Sequence, residues 1–124
     1  MAATILSNKR GTSVVIHAAS SNSTIVVAGN NSVSNIASFD ENLTGAYLTQ
    51  AVWGCDGTGY INLKRGANLV AVFDSTGQHD YAGSGMALSL YNAANVNIEF
   101  INSANGFIVF ELQKIGSTSS QAIT

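Results

Sequence analysis

No proline interrupts the chain, and its turns are written in glycine and asparagine at short intervals. Between the turns lie runs rich in Val, Ile, Leu, Phe and Tyr. Such residues favour a pleated, half-buried surface, while Gly and Asn tolerate the backbone angles that tight turns need. The first strand candidates are Thr12 to Ala18 and Thr24 to Ala28, with Ser20-Ser21-Asn22-Ser23 as the loop between them. Leu43 to Trp53 is long enough for a bent strand that switches faces. Gly54-Cys55-Asp56-Gly57-Thr58-Gly59 reads as a turn. Tyr60 to Lys64 alternates apolar and polar, as a strand with one buried face does. Leu69 to Phe73 is continuously apolar, which predicts a strand buried on both faces and makes Val72 a core residue. Asp74-Ser75-Thr76-Gly77 reads as a further turn. Met86 to Tyr91, Val96 to Ile101 and Phe107 to Leu112 complete the set.

These segments number about eight, with turn signals about every 8–12 residues, the spacing of a β-sandwich or barrel. The expectation is a single-domain, all-β, antiparallel β-sandwich or jelly-roll-like fold over residues 12–115. Residues 1–11 are expected to form an N-terminal arm and residues 116–124 a flexible C-terminal tail. A short helix is expected only near Val33 to Phe39.

At 124 residues the chain is long enough to bury roughly two thirds of the surface it exposes unfolded. It therefore needs neither metal nor disulfide to fold. Cys55 is the only cysteine, which excludes an internal disulfide and suits folding in a reducing cytoplasm. The first residues show no basic stretch followed by an apolar run, so no secretory leader is expected. No apolar stretch approaches the ~20 residues that cross a bilayer. The five basic residues, Lys9, Arg10, Lys64, Arg65 and Lys114, face seven acids and leave a net charge of -2. That is not the basic stripe of a nucleic-acid binder. Asn, Ser and Thr carry the solubility, and uncharged polar groups cost less to desolvate than charges do, which suits packing against neighbours.

No arrangement of chemically capable residues makes an enzyme. His17, His79, Cys55, Asp74 and Asp80 show no metal-ligand spacing. Gly83-Ser84-Gly85 places its glycines one position either side of the serine, where a nucleophile elbow needs two. Gly57-Thr58-Gly59 lacks the remainder of a phosphate-binding loop, and the acids are too scattered to pair. No cofactor is expected. Trp53, Tyr47, Tyr60, Tyr81 and Tyr91 could line a sugar-binding face, although Trp53 at a strand end also suits a core position with its N–H satisfied locally.

Three segments carry a resemblance: Ser7-Asn8-Lys9-Arg10-Gly11-Thr12-Ser13-Val14-Val15-Ile16-His17, Lys64-Arg65-Gly66-Ala67-Asn68-Leu69-Val70-Ala71-Val72-Phe73-Asp74-Ser75-Thr76-Gly77, and Ala104-Asn105-Gly106-Phe107-Ile108-Val109-Phe110-Glu111-Leu112-Gln113-Lys114-Ile115-Gly116. Together they resemble small virion structural proteins of tailed marine bacteriophages, above all those that infect cyanobacteria. The resemblance implies a non-enzymatic virion component made in the host cytoplasm, a head decoration (cement) protein on the capsid surface. It implies the major capsid protein or neighbouring virion subunits as partners, and a homotrimer. Ile5 and Leu6 would anchor the arm on a neighbour, with Lys9 and Arg10 beside them. The alternative is a receptor- or carbohydrate-binding module of a phage fibre, tail or baseplate.

Overall fold

The computed structural model describes residues 3–81, 91–102 and 105–118. Ten strands occupy them: β1 (Thr4–Asn8), β2 (Ser13–Ala19), β3 (Ser23–Ile25), β4 (Gly29–Asn30), β5 (Glu41–Gly54), β6 (Tyr60–Arg65), β7 (Asn68–Asp74), β8 (Thr76–Asp80), β9 (Val96–Ile101) and β10 (Phe107–Thr118). They form two antiparallel sheets, in the manner of a β-sandwich. The larger runs β1-β2-β10-β5-β4, with β8 on the same flank of β5 as a second short neighbour. The smaller runs β3-β9-β6-β7.

Alternation decides which side chains meet between the sheets. Val14, Ile16 and Ala18 of β2 face inward, as do Ile108, Phe110 and Leu112 of β10. Ile61 and Leu63 of β6 and Val96 and Ile98 of β9 meet them from the smaller sheet in one continuous core. β5 keeps its inner face across a register shift opposite Glu111 and Leu112, where one extra residue, Thr49, enters the strand. Such a bulge bends a strand and re-aims its side chains, so Leu48 and Ala51 both point into the core.

Several expectations change. Residues 4–8, read as part of an arm, pair with β2 as an edge strand, and Ile5 packs on the core. Val33 to Phe39 holds turns rather than a helix, because Ser34 ties the local backbone together through its hydroxyl to Val26 and Val27 carbonyls and the Ile36 N–H. The turn expected at Asp74–Gly77 is compressed to Ser75, which has positive φ, so that Thr76 already begins β8. β7 is not buried on both faces. It is the outer strand of the smaller sheet, and Leu69, Val70 and Val72 are 53%, 41% and 53% exposed. Val72 faces outward opposite Asn62 by ordinary alternation with Phe73, and a register shift between Leu63 and Lys64 of β6, with Val70 as the extra residue, turns Leu69 outward opposite Lys64. β10 continues to Thr118, taking in part of the expected tail. Met86 to Leu90, Gly83-Ser84-Gly85 and the rest of the tail lie outside the described residues.

Candidate functional site

The four residues expected to form an interface lie in different surroundings. Ile5 turns inward, while Leu6 is the extra residue of a bulge in β1 and stands 57% exposed. Lys9 lies in a tight turn, its N–H donating to the Ser13 carbonyl at 2.8 Å. Arg10 reaches a different loop. Its Nε donates to the Phe39 carbonyl at 3.2 Å, its guanidinium sits 5.6 Å from the Phe39 ring centre, and Asp40 is 3.9 Å away.

The aromatic residues do not share a platform. Trp53 packs on Phe73 with ring centres 4.7 Å apart and donates its Nε1–H to the Asp74 carbonyl at 2.9 Å. Gly77 of β8 lies against this ring so closely that a Cβ there would stand 2.8 Å from Cζ2. Tyr81 extends the row beside Phe73 and His79. Tyr47 and Tyr60 belong to different sheets, and Tyr91 to a turn. His17 sits opposite Thr4 and Val109 in the larger sheet, whereas His79 is paired with Ala51. Among the described residues no three His, Cys, Asp or Glu side chains stand together as metal ligands. No helix of the described residues is long and apolar enough to cross a membrane.

Two groups of side chains escaped the sequence reading. The first surrounds Lys114 of β10 and Glu41 of β5, each side chain only 1% exposed, with Nζ 2.7 Å from Oε1. Glu41 also accepts the N–H groups of Ser38 and Gly11. Lys114 donates to Asn8 Oδ1 at 2.5 Å, and Ser38 Oγ lies 3.2 Å from that same oxygen. Burial would raise the Glu41 pKa, but the hydrogen bonds from Lys114, Ser38 and Gly11 outweigh it and hold the carboxyl below its ordinary value. The cluster joins β1, β5, β10 and two loops.

The second is Arg65, 2% exposed at the end of β6. Its guanidinium donates to the carbonyls of Ala46, Asn92 and Ala94 at 2.6–3.1 Å. It thereby fastens the 92–94 turn of the smaller sheet to β5 of the larger. Gly45 permits this approach, since a Cβ there would lie 2.4 Å from the Asn92 oxygen. Burial lowers the Arg65 pKa to about 10, which leaves it charged at neutral pH.

Both groups obey a parity visible in the sequence. Ile108, Phe110 and Leu112 alternate inward, and two residues further lies Lys114. Ile61 and Leu63 do the same, and two residues further lies Arg65. Extending each alternation past its last apolar residue would have placed both cations inside.

Among the described residues, exposed apolar side chains gather on strands in two places, besides Leu6, Val33, Phe39 and Tyr91 elsewhere. One is the β7 edge, with Leu69, Val70 and Val72. The other is the outer face of the larger sheet, where Val52 and Phe107 are exposed and Val109 lies opposite Val52. No protein family, curated protein or solved structure matches the chain.

Proposed function

We propose that this protein is a non-enzymatic structural component of a bacteriophage particle, a head decoration (cement) protein that works by packing against neighbouring virion subunits. The observation that carries the packing role is β7. Among the described residues no strand covers its outer side, and Leu69, Val70 and Val72 stand exposed along it. An uncovered strand edge with apolar side chains and no lysine or proline to blunt it favours association. The resemblance of the three sequence segments to marine phage virion proteins supplies the setting: the capsid surface as location, the major capsid protein as partner and a homotrimer as the working form. Many weak contacts repeated on a lattice would add up through avidity. Carbohydrate binding draws less support, because Trp53 is turned onto Phe73 with its N–H already engaged.

The test is to mix the purified protein with heads of the candidate phage that lack it. Stoichiometric co-sedimentation with raised resistance to heat or osmotic shock is the expected result. Absence of head binding, together with binding to host cell-surface glycan, would replace this reading by receptor recognition.

A further inference from the structure

The Lys114 cluster holds a nucleophile, an electrophile and a proton carrier in contact. From this geometry we propose that the protein forms a covalent isopeptide bond within itself, joining Lys114 Nζ of β10 to Asn8 Cγ of β1 with release of ammonia. The inference does not depend on the virion reading.

Distance is the first argument. Lys114 Nζ lies 2.5 Å from Asn8 Oδ1. A carbonyl bond is about 1.23 Å long, so Nζ stands no more than about 3.7 Å from Cγ, against the roughly 3–3.5 Å of a near-attack geometry. Orientation is the second. Asn8 Nδ2 donates to the Ile36 carbonyl at 3.1 Å, which fixes the amide so that Oδ1 faces Lys114 and Nδ2 faces away. Environment is the third. The Lys114 and Glu41 side chains are almost wholly buried, so bulk water is kept from the reacting groups. Asn8 itself is exposed, which leaves ammonia a way out.

The chemistry balances within these residues. Glu41 Oε1, 2.7 Å from Nζ, takes one ammonium proton and frees the lone pair. The amine attacks Cγ, and the carbonyl electrons move onto Oδ1, where the Ser38 hydroxyl donates its hydrogen bond. The attached nitrogen gives up a second proton and the departing Nδ2 gains one. The electrons on Oδ1 return, the Cγ–Nδ2 bond breaks, and ammonia leaves, carrying off the proton held by Glu41. An ammonium group and a carboxamide become a secondary amide and an ammonium ion. No oxidant, reductant or co-reactant enters.

Glu41 is the proton carrier and Ser38 the oxyanion donor. The reaction happens once per chain. It closes the larger sheet covalently between its edge strand β1 and its central strand β10, across β2.

Intact-mass measurement of the purified, folded full chain tests the proposal. The expected mass is that of the sequence less one ammonia, and proteolysis should yield a branched peptide joining the segment with Asn8 to the segment with Lys114. Asn8→Ala and Lys114→Arg should carry no such loss, and Asn8→Asp should lose water instead. Glu41→Gln should carry its full sequence mass while keeping the strand signal in circular dichroism. A folded wild-type chain at full mass would overturn the proposal. So would an ammonia loss that persists in Lys114→Arg, which would place a succinimide at Asn8. A branched peptide still formed by Glu41→Gln would remove Glu41 from its role.

Discussion

Arg65 shows how one side chain can organise a junction between sheets. It is buried with a full charge and meets carbonyl oxygens, in contacts that join β6 to β5 and to the 92–94 turn. Replacing it with Met would take this donor from the Ala46 and Ala94 carbonyls, each at a cost of about 1–3 kcal/mol, while the Asn92 carbonyl keeps the Ala46 N–H. We expect Arg65→Met to lower the unfolding free energy by about 3 kcal/mol or more, read as a shift of the urea midpoint. Lys64→Ala, which removes only the half-exposed pair with Glu99, should cost less than about 1 kcal/mol. Glu41 makes stability depend on pH. In Asn8→Ala, which cannot form the link, the folded pKa of Glu41 lies below the ordinary 4.5, so the unfolded chain takes up the proton more readily, and it is this variant whose melts are compared with those of Glu41→Gln. This contribution is fully present above the unfolded value, and it is lost as pH falls from there through the folded one. Thermal melts should therefore drop below about pH 4.5. Glu41→Gln should flatten that dependence, and an equal slope in both proteins would refute the assignment.

At the scale of the strand, periodicity carried most of the information. β6 and β9 alternate, and their inward residues are those the pattern selects. β7 misled because an unbroken apolar run looks the same whether a strand is covered on both sides or serves as an apolar edge. A single extra residue, Val70, then changes which side chains face out. The consequence for mutation is a reversal. Val72→Asp, which would stop folding if Val72 were the core residue its apolar run predicts, should change stability by no more than about 0.5 kcal/mol, as at other exposed sites. Phe73→Ala, one residue on, should cost about 3–5 kcal/mol, because Phe73 is buried under Trp53 and Tyr81. Denaturant titration of the two variants side by side checks both. β1 and β8 were hidden for a related reason. Leu6 breaks the alternation of β1, and Gly77 marks close contact with the Trp53 ring where it looked like a turn signal. The Asn8–Glu41–Lys114 cluster joins residues 33 and 73 positions apart, so no local pattern holds it. Only the inward parity of β10 pointed to Lys114.

The chain folds as a low-charge sandwich in which, among the described residues, exposed apolar side chains line the β7 edge of one sheet and the Val52–Phe107 surface of the other. In the proposed packing role, these surfaces lie on separate sheets, so one copy has room to touch more than one subunit. The larger sheet also imposes an order of events. β10 lies between β2 and β5 and supplies hydrogen bonds to both, although β2 and β5 precede it by many residues. Until residues 107–118 arrive, two long strands each lack a neighbour. Contacts so distant in sequence slow folding, and unpaired edges invite aggregation meanwhile. Assembly of this sheet thus resembles closing a zip with its slider at the far end: the earlier strands wait, and the rate at which β10 finds its slot sets the time during which the unfinished protein is vulnerable.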